Sequence, residues 1–251
     1  MKKKYWVPAI ERADIIVTMI AKEPRQLKLI DISNKSNINK SSLFSILTTL
    51  EELGWVYKEN DQTYSLGPKL GFLSAQYIQQ FDLTRLFNRE AEKTIKKVEE
   101  TIQLSILEGN EIIYIAKKEG YSRVRIVSEP GMRLPAHATA MGKTMLSTFS
   151  RNELYEMYKV NGFDKITDNT VDNLDDLQKQ LNDLRNKGYI IENQEAVKGF
   201  TCIAAPVWNE RNDIIAAVSF TMPLDNWDEK SEVCKNEIIA LAKELSINSH
   251  V

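Results

Sequence analysis

The stretch Leu134-Pro135-Ala136-His137-Ala138-Thr139-Ala140-Met141-Gly142-Lys143-Thr144-Met145-Leu146 ends its polar part in Gly-Lys-Thr, the close of a phosphate-binding loop. Such a loop also needs a glycine five positions before Gly142, so that backbone N–H groups can wrap a phosphate. His137 stands there instead. A second chemistry fits the same residues. Ala136, Ala138, Thr139, Ala140 and Gly142 are small, so a helix opening here would leave its first N–H groups accessible to a small anion. The surrounding elements have to decide between the two.

Other residues could carry chemistry. Cys202 with His137 has the types of a nucleophile and its base, but a cysteine in an apolar strand reads first as a small packed hydrophobe. His137 reads as a satisfied structural histidine, and Lys143 as a solvated or pairing cation. A nucleotide site would also need a metal-binding acid at the end of an apolar strand, and Ile214–Met222 runs into Pro223-Leu224-Asp225, a poor match. With two cysteines (Cys202, Cys234) and two histidines (His137, His250), soft metal ligands are few. We therefore expect no catalytic residue, no metal and no cofactor.

The elements that would position these residues fall into two groups. Ile10, Ala13, Val17 and Ile20 make the stripe of a helix opened by Pro8 and closed by Glu23-Pro24. A second helix, Lys28 to Ser36, turns Leu29 and Ile32 inward. After the turn Asn37-Ile38-Asn39, with Asn39 as N-cap, a third helix buries Leu43, Ile46, Leu47, Leu50 and Leu53 and stops at Gly54. Its other face carries Lys40, Ser41, Ser42, Ser45, Thr48 and Thr49, with Phe44 among them. Short hydroxyl side chains and a lysine approach phosphates and base edges closely, so these seven residues are the candidate DNA contacts. Trp55–Lys58 and Thr63–Leu66 then form a hairpin. Three short helices and a hairpin are the plan of a winged helix-turn-helix. The alternative is a small helical domain with a hydroxyl-rich surface.

Gly67-Pro68 opens a further stripe, Leu70, Leu73, Tyr77, Ile78 and Phe81, read as a linker helix that could pack on a second chain. From Leu83 the chain runs helix, strands (Leu104–Leu107, Glu111–Ala116, and one near Val124–Val127) and the opening stretch. A helix capped by Ser150 and Glu153 and a longer one through Leu174, Leu177, Leu181 and Leu184 to Gly188 follow. Strands Tyr189–Glu192, Thr201–Trp208 and Ile214–Met222 precede a final helix burying Val233, Ile238, Leu241 and Leu245. This order gives an α+β domain with one antiparallel sheet and a pocket between sheet and helices.

Charge agrees with the division. The 251 residues carry 33 Lys+Arg and 35 Asp+Glu, but residues 1 to 80 hold 11 against 8, leaving 22 against 27 for the rest. A basic first part suits a polyanion. No apolar run is long enough to span a bilayer, and Met1-Lys2-Lys3-Lys4-Tyr5-Trp6 enters Pro8 without a signal-like apolar segment. A cytoplasmic protein without a membrane partner is expected.

Several of these residues together resemble one family, the IclR-type bacterial transcriptional regulators. The resemblance lies in Asn39-Lys40-Ser41-Ser42-Leu43 through Thr49-Leu50-Glu51-Glu52-Leu53-Gly54-Trp55 to Tyr64-Ser65-Leu66-Gly67. It continues in Leu134–Lys143, and in Gly188-Tyr189, Glu195, Gly199, Cys202 and Ala204-Ala205-Pro206. It implies a winged helix-turn-helix domain (1–67), a linker helix (68–82) and a GAF-like effector-binding domain (83–251). It also implies a regulator, with repression expected, that binds double-stranded operator DNA as a homodimer or homotetramer under control of a small metabolite, often a carboxylic acid. Carried over by position, Ile126, Leu134, Ala140 and Met141 line one side of the effector pocket, and Glu192, Cys202, Ser219 and Thr221 the other.

Two positions depart from the family's pattern. Ser45 stands where an arginine is usual in the recognition helix, which removes a phosphate or guanine contact. Met141 occupies a pocket position usually held by a small residue. The first departure keeps a second reading alive, a small-molecule-sensing protein that no longer binds DNA specifically.

Overall fold

In the computed structural model, which describes residues 6–79, 82–122, 128–160 and 162–247, the chain divides into two compact units, Met1–Gln80 and Phe81–Val251. In the first unit α1 (Pro8–Lys22), α2 (Leu29–Ser36) and α3 (Lys40–Glu52) precede a two-stranded antiparallel hairpin, β1 (Val56–Lys58) and β2 (Tyr64–Leu66). A single bridge, Lys28 to Thr63, ties the hairpin to the start of α2. The core is Ile16, Ile20, Leu27, Ile32, Ile38, Leu43, Leu47, Leu50, Val56 and Tyr64. This is the winged helix-turn-helix expected from the periodicity. Two expected core residues lie outside it. Ile10 is 68% exposed and Leu53 55% exposed. Ile16 takes the place assigned to Ile10, because α1 meets its neighbours only from its second turn onward. Leu53 falls beyond the last helical turn, where Gly54, at φ +70°, has already redirected the chain.

The helix α4 (Pro68–Gln79) belongs with the first unit, and Phe72 and Leu73 on it are exposed.

The second unit is built on a six-stranded antiparallel sheet in the order β5 (Arg133–Pro135), β4 (Glu111–Lys118), β3 (Thr101–Glu108), β8 (Ile214–Pro223), β7 (Phe200–Trp208), β6 (Ile190–Asn193). Helices α5 (Asp82–Val98) and α9 (Leu224–Ile247) cover one face, packing Phe87, Ile95, Ile238 and Leu241 on Leu104, Ile203, Val218 and Phe220. Helices α6 (Ala140–Leu146), α7 (Arg151–Tyr158) and α8 (Leu174–Lys187) cover the other, with Met145, Leu154 and Leu177 near Ile112, Ala204 and Ala217. Successive residues of β7 and β8 therefore serve opposite layers, as the pleat requires. The architecture is α+β with one antiparallel sheet, as expected.

The expected strand near Val124–Val127 lies outside the described residues, and β5, which the sequence does not announce, pairs with β4 as the last of the described strands on its side of the sheet. On α9, Val233 is 45% exposed and Cys234 is buried in its place. A stripe read one position off points that much of its face to solvent.

Candidate functional site

Two places in the fold gather polar residues, one on each unit. On the first, Asn39 accepts hydrogen bonds from the Ser42 N–H (2.8 Å) and the Ser41 hydroxyl (2.9 Å) and so fixes the start of α3. Lys40, Ser41, Phe44, Ser45, Thr48 and Thr49 are exposed along one face, and Ser42 is half-buried. The hydroxyls of Ser45, Thr48 and Thr49 donate to the carbonyls of Ser41 (3.2 Å), Phe44 (2.9 Å) and Ser45 (2.9 Å), one turn back. Their oxygens therefore offer lone pairs outward, and a contact in which they donate requires release of the helix carbonyl. Phe44, 61% exposed, gives the face an apolar patch suited to a thymine methyl.

On the second unit, one cavity is lined by Gln103, Tyr114, Leu134, Thr139, Ala140, Met141, Glu192, Ala196, Val197, Phe200, Cys202, Ser219 and Thr221. Leu134, Ala140, Met141, Glu192, Cys202, Ser219 and Thr221, expected in one pocket, are brought together by β5, α6, β6, β7 and β8. Ile126 lies outside the described residues. Sequence reasoning missed Gln103, Tyr114, Thr139, Ala196, Val197 and Phe200. The free space within is about 20 Å³, room for a water molecule and little more.

The floor of this cavity is a hydrogen-bonded cluster. The Gln103 side-chain oxygen accepts from Thr221 (2.7 Å) and Ser219 (3.1 Å), while its NH2 donates to Ser128 (2.6 Å). Ser219 and Thr221 do point inward together, as their alternation on one strand requires. Cys202 Sγ lies 3.2 Å from the Thr221 hydroxyl. Ser105 donates to the Met141 sulfur at 3.2 Å. Glu192, 1% exposed, accepts from the N–H groups of Glu195 and Ala196, the latter at 3.1 Å. Burial pushes its carboxyl up to about 7, against the pull of those N–H groups and of Lys143. Burial and the neighbouring Glu192 push the Cys202 thiol well up, so at neutral pH it is a thiol and not a nucleophilic thiolate.

The Gly-Lys-Thr run has a structural explanation at each residue. A Cβ on Gly142 would meet the Ala136 carbonyl oxygen at 2.1 Å, so glycine allows α6 to pack on the 3-10 turn Ala136–Ala138. The Gly142 N–H is already capped by the Thr139 hydroxyl at 3.0 Å, so the start of α6 is less bare than expected. Lys143 is not solvated: it is fully buried and its ammonium donates to Glu195 Oε1. Burial lowers its affinity for the proton and Glu195 opposes that loss. The second Glu195 oxygen accepts from the Val171 N–H at 3.0 Å, and Thr170 donates to the Glu195 carbonyl at 2.7 Å. The ion pair thus clamps the turn after β6 to α6. Thr144 donates to the Ala140 carbonyl at 2.8 Å. No member of the run is left to bind a phosphate.

His137 is only half satisfied. Its Nε2–H meets the Asp164 carbonyl at 3.0 Å, but among the described residues the buried Nδ1 has no partner, and the ring lies edge-on against the stacked pair Tyr158 and Phe163. Burial lowers its basicity, which keeps the ring neutral.

Comparisons with known proteins agree with both halves. Residues 75–247 match the sequence model described as the bacterial transcriptional regulator IclR C-terminal domain, and residues 9–60 the IclR helix-turn-helix domain. The transcriptional regulator KdgR of Dickeya chrysanthemi is 32% identical over 220 residues, covering 87% of this chain and 71% of the relative. The crystal structure of Thermotoga maritima IclR superposes with a TM-score of 0.81 at 27% identity, covering 97% of this chain and 99% of that one. An IclR homologue from Microbacterium hydrocarbonoxydans, crystallised with 4-hydroxybenzoate, shares the fold with a TM-score of 0.77 at 20% identity, covering 96% of this chain and 100% of that one. The chain belongs to the IclR family of bacterial transcriptional regulators, which bind DNA through the helix-turn-helix domain.

Proposed function

We propose that this IclR-family regulator is a repressor whose operator is read by the exposed face of α3, and whose affinity for that operator is set by a small carboxylic acid. The acid binds among Leu134, Ala140, Met141, Glu192, Cys202, Ser219 and Thr221. The observation that carries the ligand site is the convergence of seven separate elements, the six strands β3 to β8 and helix α6, on one cavity with buried hydrogen-bonding groups on an otherwise apolar wall. The homologue crystallised with 4-hydroxybenzoate supports a carboxylate. About 20 Å³ of free space does not admit a metabolite, so binding draws on an arrangement in which the wall has moved. Met141, unbranched and next to Leu134, is the side chain best able to give way.

In this reading residues 1–67 hold the operator, 68–82 link, and 83–251 sense. The protein works in the cytoplasm as a homodimer or homotetramer, without catalysis, and its ligand acts only to the extent that it prefers one placement of the paired reading helices. Ser45, and the lack of any arginine on the exposed face of α3, favour the second reading, a sensor without specific DNA binding.

A gel-shift titration on the promoter region of the protein's own gene, at several salt concentrations, separates the two. Specific binding that weakens steeply with salt is expected, because phosphate contacts release counterions. No shift at low salt would favour the sensor. A reporter under that promoter, raised when the gene is deleted, would establish repression.

A further inference from the structure

The chemistry of the ligand depends on what the cavity floor offers, and one side chain decides it. Gln103 and Ser219 face each other across the paired strands β3 and β8, and Thr221 is the next residue on the same face. The Gln103 amide, 1% exposed, has described hydrogen-bond partners that are all hydroxyls: Ser128 on its nitrogen side, Ser219 and Thr221 on its oxygen side. A hydroxyl donates or accepts equally well, so the amide is satisfied in either of its two orientations.

The two orientations differ in what they leave for a ligand. With the oxygen toward Ser219 and Thr221, both hydroxyl hydrogens are consumed and the floor presents lone pairs. With the amide turned, its two N–H groups donate to Ser219 and Thr221, Ser128 donates to the amide oxygen, and both hydroxyl hydrogens point into the cavity. The first floor accepts and fits a ligand rich in O–H or N–H groups. The second donates and fits a carboxylate.

We propose that Gln103 is the specificity-determining residue of this pocket, setting the hydrogen-bonding sense of the floor through Ser219 and Thr221 without replacing them as contacts. The proposal rests on the ligand site assigned above. Gln103→Glu holds the floor in its accepting sense, since a carboxylate has no N–H to give. Gln103→Met removes the constraint and lets both hydroxyls rotate freely.

The test uses the full chain and pairs of isosteric probes: glycolate with glycolamide, lactate with lactamide, and 4-hydroxybenzoate with its carboxamide, each titrated calorimetrically. Gln103→Glu is expected to weaken the carboxylates at least tenfold and their carboxamides less than threefold. Gln103→Met is expected to weaken both members of a pair alike. Because the new carboxylate could repel anions directly, the decisive variant adds Ser219→Ala and Thr221→Val to Gln103→Glu. If the sense is conveyed by the hydroxyls, discrimination within each pair falls to less than threefold. If it persists undiminished, charge alone explains it and the proposal is overturned.

Should no probe bind the wild-type chain, the ligand class proposed above fails, and the Gln103 assignment is still tested without ligand. The stability losses of Gln103→Met and Thr221→Val, measured singly and together, should be clearly less than additive. Strict additivity would overturn the network on which the proposal stands.

Discussion

Helix α3 and the cavity of the second unit both collect hydroxyl side chains, yet they bond them in opposite ways. On α3 each hydroxyl reaches a carbonyl four residues back in its own helix. In the cavity the bonds join residues 25, 116 and 118 positions apart. A local back-bond is exchanged for water or a phosphate at little cost, whereas a buried bond that loses its partner strands a polar group. The α3 face is therefore free to change what it contacts without changing the fold. The cavity cannot change its ligand without touching the stability of the sheet.

The largest effect expected from that contrast is at Lys143. Lys143→Met leaves Glu195 buried and uncompensated and should cost about 3–5 kcal/mol in urea unfolding of the C-terminal unit. Adding Glu195→Gln should restore a large part. A single-variant cost below about 1 kcal/mol would mean that the pair does not hold the turn after β6 to α6.

Next comes pH. Glu192 titrates at about 7 in the folded chain against an ordinary value of 4.5, so between these values the folded state binds more protons than the unfolded one. Stability contributed by this group is therefore present at low pH and lost as pH rises through that window, by up to about 3 kcal/mol. The wild-type chain and Glu192→Gln, compared by denaturant unfolding from pH 5 to 8, should diverge steadily in that direction. Parallel profiles would contradict the buried, protonated carboxyl.

Gly142→Ala comes third. Its Cβ would press on the Ala136 oxygen, which should cost about 1–3 kcal/mol. A neutral outcome would return the glycine to a ligand-binding role. Smallest in stability is Ser45→Ala, expected within about 0.5 kcal/mol because the side chain is exposed. Its operator affinity in a gel shift should nonetheless change, and an unchanged affinity would remove Ser45 from the interface.

What could be read from the sequence follows the same division between local and distant. Asn39 as N-cap, the Ser150 and Glu153 capping box, and the stops at Gly54 and Gly188 all emerged as expected, because a helix end is decided within four residues. Ile10, Leu53 and Val233 were misjudged where a stripe ran past the point at which neighbouring elements cover it. β5 is three residues long and ends in Pro135 at a sheet edge, and so offers no periodicity.

The pocket residues came from the family resemblance and not from pattern. Gln103 was passed over because the expected strand began at Leu104, whereas β3 begins at Thr101 and takes Gln103 into the sheet. The usable signal was that Gln103 and Ser105 alternate with Ile102 and Leu104 just as Ser219 and Thr221 alternate with Val218 and Phe220. Two strands that each bury one polar and one apolar face imply a polar layer between them. Only the register, Gln103 opposite Ser219, says that the two layers meet.

The most direct test of the account is the coupling between the two units. Operator affinity is measured by fluorescence anisotropy with and without a small carboxylate identified by thermal shift, at ~100 times its dissociation constant, where a ligand stabilises by about 2.7 kcal/mol. The account predicts a change of at least fivefold in the wild-type chain, within the range usual for linked sites. In Glu192→Ala both the thermal shift and the change in affinity should be lost, with the bare operator affinity intact. Equal operator affinity with and without the bound acid would contradict it.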